Sequence, residues 1–434
     1  MEWGLGLYAL PLAAIFGVML LSKKKKHSAN EAALSENLEA GLMEPASLHP
    51  MIDPGKCMGC GSCTSACPEH NVIGLIHGKA QLINPTHCIG HGACQRACPF
   101  NAIALVFGTA TRGVDIPNVK PNFETNLPGI FIAGELGGMG LIRNAVEQGR
   151  QALENIVRSS GVGKTDQRRL DLVIVGAGPA GFSASLGALE RKLKFVTLEQ
   201  ETLGGTVAHF PRGKLVMTQP AKLPIVGLMR FTETTKEKLL EFWQSVAAKT
   251  RIPIHYSERV EEIARDSDGY TVRTTKDTYH TRTVLLAIGR RGTPRKLDVP
   301  GEDLPKVVYR LIDAEQYKGK RVLVVGGGDS ALEAAATIAD QDGAKVLLSY
   351  RSEAFNRAKE KNRQRVKDAE ARGRLKVLFK STVKRISERS VQIDYDGKLM
   401  ELKNDAVIIS AGGVLPTPFL RQIGIEVETK YGTA

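Results

Sequence analysis

A six-residue glycine spacing set behind an apolar strand occurs twice in this chain of 434 residues. The first copy follows Asp171–Val175 and reads Gly176-Ala-Gly178-Pro179-Ala180-Gly181. The second follows Lys320–Val325 and reads Gly326-Gly-Gly328-Asp329-Ser330-Ala331, with alanine in the third small position. Gly176 permits a tight turn, Gly178 lets the backbone approach a pyrophosphate, and Gly181 lets helix and strand pack closely. The helix N-terminus then offers free N–H groups and the positive end of its dipole to phosphates. Glu199 ends the next strand, 23 residues after Gly176, placed for ribose hydroxyls. After the second motif the strand Ala344–Tyr350 has no acid at its tip; Arg351 stands there, Arg357 follows, and Glu353 lies between. A 2′-phosphate wants a cation where a bare ribose wants a carboxylate. The second motif is therefore expected to take NADPH, with NADH as the alternative. Two surface arginines are the bland reading. Strands alternating with helices imply parallel sheets and an α/β class.

All seven cysteines lie between Cys57 and Cys98. They form two runs, Cys57-x2-Cys60-x2-Cys63-x3-Cys67-Pro68 and Cys88-x2-His91-x2-Cys94-x3-Cys98-Pro99. An odd count in this spacing argues for metal in a reducing compartment rather than for disulfides. Closely spaced thiolates wrap one iron–sulfur cubane, and the fourth cysteine of each run reaches the other cluster. Zinc needs only four ligands and leaves the x3-Cys-Pro tail unexplained. Residues 51–104 resemble bacterial two-cluster ferredoxins. The resemblance implies Cys57, Cys60, Cys63 and Cys98 around one 4Fe-4S cluster, and Cys88, Cys94 and Cys67 around the other. His91 stands where the family has a cysteine. Three readings stay open: an imidazole ligand, a bystander beside a 3Fe-4S cluster, and a solvated side chain. His87 reads as an exposed loop residue.

The N-terminal run Trp3–Leu21 is uncharged over 19 residues and Lys23–Lys26 follow at once. That length is close to the roughly 20 residues that span a bilayer. Positive charge beside a span stays cytoplasmic. The expectation is thus a single-pass anchor at 1–26 in an inner or cytoplasmic membrane, with the catalytic domains cytoplasmic. A buried N-terminal helix is the alternative. The net charge of +13 is spread along the chain, and no nucleic-acid motif accompanies it, so no nucleic-acid partner is expected.

Between these landmarks the chain divides into a tether at 27–50, the ferredoxin-like domain at 51–104, a Gly-rich apolar segment at 105–158 and a linker at 159–169. An FAD domain at 170–297, an NAD(P)-binding domain at 298–405 and a return segment at 406–434 follow. The last assignments rest on a second resemblance. Ala287-Ile-Gly289-Arg-Arg-Gly-Thr-Pro294, Val299-Pro-Gly301-Glu302 and Ser410-Ala-Gly-Gly413 look like the crossovers of two-dinucleotide flavoproteins. Leu203-Gly-Gly205-Thr206 and His209-Phe-Pro211 are similar to their flavin-side loop. Residues 105–434 resemble the thioredoxin-reductase-like flavoproteins, particularly the branch of the bacillithiol disulfide reductases. This implies a fold of two Rossmann-like domains that bind FAD and NAD(P), here joined to a ferredoxin-like domain and a transmembrane helix.

Two departures from that family matter. Its redox-active Cys-x-x-Cys before the second glycine motif is missing, because Val307–Tyr317 holds no cysteine. Its closing FAD motif, matched by Pro128-Gly-Ile-Phe-Ile-Ala-Gly134-Glu135, precedes the first glycine motif instead of ending the chain. This order is the pattern of a circular permutation, with residues 105–158 completing the FAD domain and Glu135 beside the ribityl chain. Tyr431-Gly-Thr-Ala434 echoes Phe107-Gly-Thr-Ala110 at the seam. The expected function is an NAD(P)H oxidoreductase in which electrons pass between nicotinamide, FAD and two iron–sulfur clusters. No side-chain acid or base is nominated. A flavin-dependent disulfide or small-molecule reductase and an electron-transfer subunit of a membrane complex are the rivals. The expected partner is an unidentified electron carrier, and a homodimer is one assembly the chain allows.

Overall fold

The computed structural model describes residues 3–39, 43–45, 48–69, 71–88, 90–110, 113–138, 140–158, 169–210, 212–213, 215–217, 220–231, 233–290, 292–355 and 358–432, with the backbone alone at 3–14 and at 293. The expected linker, apart from Arg169, and Arg357 lie outside these residues. The chain forms two compact units: 1–114 with 354–364 and 430–434, and 115–353 with 365–429.

The first unit opens with helix α1 (Trp3–Glu39), 37 residues long. It overturns the expectation of a membrane anchor at 1–26. Among the described residues no helix is long and apolar enough to cross a membrane. The transmembrane part of the expected fold and the single-pass localisation fall with it. The physical reason lies in what the lysines do. Lys23–Lys26 sit inside the helix instead of ending an apolar span, and the helix runs on through a polar half. That half docks on the domain behind it. The Asn30 side-chain N–H donates to Leu75 O at 3.1 Å, and the buried Asn37 donates to Ile83 O at 3.0 Å and to Asn84 Oδ1 at 2.6 Å.

The rest of this unit is a small repeat. Strand β1 (His49–Ile52) pairs antiparallel with β4 (Ile103–Val106), and β2 (Ile73–Ile76) pairs with β3 (Lys79–Leu82). Two short helices, α2 (Ser62–Ala66) and α3 (Ala93–Arg96), follow the second residue of each cysteine run. Each starts from a glycine in the left-handed region, Gly61 at φ 79° and Gly92 at φ 72°. The core between these elements is Val72, Ile73, Ala80, Ala102 and Ile103 together with Cys57, Cys63, Cys67 and Cys94.

The second unit is built on two sheets, the first mixed and the second all parallel. The first uses β5 (Ile130–Ile132), β6 (Leu170–Val175), β7 (Phe195–Leu198), β8 (Ile254–His255), β9 (Val260–Asp266), β10 (Gly269–Thr274) and β11 (Thr278–Leu286) in the order β8-β7-β6-β11-β10-β9. Strand β11 changes partner along its length. Its first half runs antiparallel to β10, while Val284, Leu285 and Leu286 lie parallel to Ile130, Phe131 and Ile132 of β5. Its other edge runs parallel to β6 from Thr281 to Leu286. Both faces of these strands are covered, which is why they read as continuous apolar runs without alternation. Ile130, Val173 and Val284 face one layer. Phe131, Ile174 and Leu285 face helices α4 (Ile142–Arg158) and α5 (Pro179–Glu190). The C-terminal segment ties back to the residues before β5: Asn126 donates to Gly424 O at 2.9 Å and accepts from Glu426 N–H at 3.0 Å.

The second sheet contains β12 (Val307–Val308), β13 (Arg321–Val325), β14 (Lys345–Ser349), β15 (Leu375–Leu378) and β19 (Ala406–Ile409), ordered β12-β19-β13-β14-β15 and all parallel. Between β15 and β19 the chain inserts an antiparallel sheet of β16 (Ser381–Ile386), β17 (Ser390–Tyr395) and β18 (Lys398–Lys403).

Helices α4 and α5 approach so closely that a Cβ on Gly149 would lie 2.0 Å from the carbonyl oxygen of Ala180. Replacing glycine by alanine in a helix gains about 1 kcal/mol of propensity. Overpacking a tight contact costs about 1–3 kcal/mol, and here the obstacle is backbone, which cannot rotate aside. Gly149→Ala is therefore expected to lower the melting temperature, by about 2–4 °C for each kcal/mol lost in a domain of this size. Thermal unfolding followed by circular dichroism checks this. An unchanged or raised melting temperature would show that the two helices do not meet as described.

Candidate functional site

The turn between β6 and α5 carries the first glycine motif. Gly176 has φ +102°, and a Cβ there would lie 2.6 Å from Ala287 O; one on Gly181 would lie 1.8 Å from Gly176 O. These two glycines are thus demanded by the strand–turn–helix packing itself. Gly178 differs: the nearest atom to a Cβ there, the Cα of Gly205, is 3.9 Å away. Its missing side chain leaves a cradle open toward a cavity of about 560 Å³. That volume falls in the range of ligand pockets, roughly 300–1,000 Å³.

The cavity wall collects residues from distant parts of the chain. Gly176, Gly178, Pro179, Ala180, Glu199, Gly205 and Thr206 line it, and so do Gly134 and Glu135 from the segment before β6. Gly181 stands behind the turn rather than on the wall. Glu199 is 5% exposed. Its Oε2 accepts the Ala177 N–H at 2.7 Å and its Oε1 accepts the Glu201 N–H at 2.9 Å. Burial pushes its carboxyl above the usual range, against the lowering effect of those two bonds. Each oxygen keeps a second lone pair for a hydroxyl donor. Gly134 donates its N–H to Gln148 Oε1 at 2.9 Å, which fixes the turn leading to Glu135. Leu141 and Ile142, at the start of α4, complete this side. A glycine cradle, a helix N-terminus and a buried acid beside it fit a dinucleotide such as FAD.

The same wall holds an ionic chain that sequence reading missed. His209 Nε2 lies 2.6 Å from Glu201 Oε2. The Arg310 guanidinium donates to both oxygens of Glu201, at 3.3 and 3.2 Å. Arg310 sits within Val307–Tyr317, the stretch noted only for its lack of cysteine. Glu201 and Arg310 are 109 positions apart, so no local signal marked their pairing.

At the second motif, Gly328 caps helix α6 (Asp329–Ala339), and Asp329, Ser330 and the fully buried Ala331 form its first turn. The ring of Tyr350 covers Gly327 so closely that a Cβ there would lie 2.3 Å from it. Arg351, next in the chain, is exposed at the tip of β14. Glu353 is held by Lys380 at 2.7 Å, so the nearby acid already has a cation of its own. Val325 pairs with Ser349 at the C-terminal ends of β13 and β14, so Gly326, Gly328, Asp329 and Ser330 leave the sheet at the same end as Arg351.

In the first unit all seven cysteines are free thiols. Cys67, Cys88 and Cys94 lie close enough that each of Cys88 and Cys94 feels the charge of Cys67, although burial is the larger cause of their raised thiol pKa values. Cys67 is likewise raised by burial. These three thiols and His91 line one cavity. Cys63 is pushed up to about 11, by burial first and by Cys57 next. Cys57 accepts the Ala80 N–H and Cys98 the Ala102 N–H, both at 3.4 Å. Cys60 is exposed, and the Ser62 hydroxyl beside it lowers its thiol. Buried thiols that resist ionisation alone become thiolates when a metal supplies the charge, so this donor set fits iron–sulfur clusters. His91 Nε2 lies 3.9 Å from Cys67 Sγ, and burial lowers its imidazole pKa. His87, expected to be exposed, is half-buried, and burial lowers its pKa too.

Comparison with known proteins places this geometry. Residues 173–433 match the family described as pyridine nucleotide-disulphide oxidoreductase, and residues 49–99 match a 4Fe-4S dicluster domain. The chain is 27% identical over 266 residues to the bacilliredoxin reductase Bdr of Bacillus subtilis, covering 60% of this chain and 82% of that protein. It is 26% identical over 268 residues to a ferredoxin–NADP reductase of Ignicoccus hospitalis, covering 60% and 83%. Among solved structures, the bacillithiol disulfide reductase Bdr of Staphylococcus aureus matches with a TM-score of 0.51 and 24% identity, over 60% of this chain and 82% of the other, which supports the shared fold. The match from Val173 onward, over more than half of its length, shows that the chain belongs to the pyridine nucleotide-disulphide oxidoreductases, as an FAD-dependent oxidoreductase joined to a 4Fe-4S dicluster domain.

Proposed function

We propose that this chain is an NADPH oxidoreductase whose flavin exchanges electrons with two iron–sulfur clusters of the same polypeptide, and through them with an external electron carrier. The observation that carries the proposal is the pairing of a flavin-type cavity with a seven-thiol module in a chain that has no cysteine from Val307 to Tyr317. An internal dithiol is absent from that stretch, so the thiols that remain are the metal-binding set. The relative in Ignicoccus hospitalis is named for ferredoxin as partner; here a ferredoxin-like module is part of the chain itself. FAD supplies the chemistry that links a two-electron hydride donor to one-electron acceptors. The protein's part is to hold and orient. Gly178 opens the cradle, Glu199 and Glu135 stand for ribose and ribityl hydroxyls, and Gly205 and Thr206 close the opposite wall. Gly328 to Ala331 present a helix N-terminus to the nicotinamide dinucleotide, and Arg351 faces its 2′-phosphate.

The order of the elements supports a circular permutation within this reading. Residues 130–132 pair with β11 beside the glycine motif, and Glu135 lines the same cavity as Gly176. The family's closing motif would then occupy its usual place while coming first in the chain. A second reading, direct reduction of a disulfide or other small molecule at the flavin, is favoured by the His209–Glu201 pair on the cavity wall. Turnover of a small disulfide by protein stripped of its clusters would favour it.

Two experiments test the main reading. Serine at both Cys57 and Cys60 is expected to leave reduction of the flavin by NADPH intact and to abolish NADPH-driven reduction of cytochrome c. Anaerobic absorbance titration and steady-state assay read the two steps separately. Cytochrome c reduction at the wild-type rate by this variant would remove the clusters from the route. For the nicotinamide, losing a charge-assisted phosphate contact costs about 1.5–3 kcal/mol, roughly tenfold to a hundredfold. Arg351→Ala is expected to weaken NADPH binding by that factor and to leave NADH unchanged. Equal weakening of both, measured by titration of the charge-transfer or flavin band, would refute phosphate recognition at Arg351.

A further inference from the structure

The second cysteine run places a histidine where the first has Cys60, and the hydrogen bonds around that ring decide its role. The backbone N–H of Ala93 donates to His91 Nδ1 at 3.2 Å. A backbone amide can only donate, so Nδ1 carries a lone pair. A neutral imidazole has one N–H, and it must then sit on Nε2. Nε2 is the nitrogen that lies 3.9 Å from Cys67 Sγ. A nitrogen that bears a hydrogen has no lone pair to give to iron. Binding iron through Nε2 would move the proton to Nδ1, where it would face the Ala93 N–H as one donor against another. Binding through Nδ1 would break the Ala93 bond outright.

The two runs are otherwise alike at this point. Gly61 and Gly92 hold the same left-handed conformation ahead of α2 and α3. The residue two after Cys60, Ser62, meets the thiol with its hydroxyl at 3.4 Å. The residue two after His91, Ala93, has no such side chain and holds the ring by its backbone.

We propose that His91 is a hydrogen-bond donor to the Cys67 sulfur and not an iron ligand, so that the second cluster is held by three protein ligands, Cys67, Cys88 and Cys94. This rests on the reading that the module holds two clusters. One anionic ligand fewer and an N–H bond to sulfur both favour the reduced state. The second cluster is therefore the higher-potential one of the pair, and His91 acts as a positioning residue that tunes it.

The test uses the full chain, purified anaerobically, reconstituted with iron and sulfide and labelled with ¹⁵N-histidine. Electron paramagnetic resonance with hyperfine spectroscopy reads nuclearity and bound nitrogen, and a redox titration reads potential. The expected result is a second cluster without a directly bound histidine nitrogen, either three-iron or four-iron with a corner free of protein. His91→Ala is expected to keep that nuclearity and lower the potential, and His91→Cys to give a four-iron cluster with four thiolates. A strongly coupled histidine nitrogen that disappears in His91→Ala, together with the fourth iron, would overturn this inference alone. Iron and spectra for only one cluster would overturn it together with the two-cluster reading beneath it.

Discussion

Three adjacent residues, Val284, Leu285 and Leu286, have parallel partners on both edges, and the flavin-side half of the molecule depends on that arrangement. On one side lies the strand that ends in the first glycine turn. On the other lies Ile130–Ile132, which enters from before that turn in the chain. An unpaired edge here would expose buried backbone donors and acceptors, each costly to leave without a partner. The third strand removes the edge and also aims its own C-terminal end at the cavity. Gly134, Glu135 and the start of α4 reach the wall because β5 ends level with β6. The close crossing of α4 over Ala180 then locks the two strand–turn–helix units together. Binding site and core share the same contacts, so the shape of the cavity is set by backbone packing more than by side chains.

The features that could be read from the sequence are those in which chemistry is local. The glycine motifs occupy six residues each, and their steric demands, such as Gly181 against Gly176 O, lie within the same turn. The cysteine runs are equally compact. Where reasoning depended on what lies across the fold, it fell short. A window over Trp3–Leu21 registers apolarity but not that the helix continues to Glu39 because Asn30 and Asn37 find carbonyls on another element. The Arg310–Glu201–His209 chain joins segments whose separation exceeds any motif. At His91 spacing alone suggested a ligand position, while the ring's hydrogen-bond partners, a backbone amide and a sulfur, come from three-dimensional placement.

The two units also differ in how they use burial. In the first, burial raises the thiols of Cys63, Cys67, Cys88 and Cys94 above their ordinary range, and a bound metal would supply the charge that makes them thiolates. In the second, burial raises the Glu199 carboxyl and two backbone N–H donors counter part of that effect, which holds both oxygens in place to accept further hydrogen bonds. In the stretch Val307–Tyr317, which holds no cysteine, Arg310 pairs with Glu201. That stretch contributes electrostatics to the cavity wall.

That pairing has a mechanical side. Arg310 belongs to the half of the unit that carries the second glycine motif, whereas Glu201 and His209 belong to the half that carries the first. Their bond lengths of 2.6 to 3.3 Å leave no slack. A displacement of one half against the other would lengthen the Arg310–Glu201 contact while leaving the Glu201–His209 contact within its own half. The wall of the cavity is thereby made sensitive to the posture of the half that carries the second glycine motif.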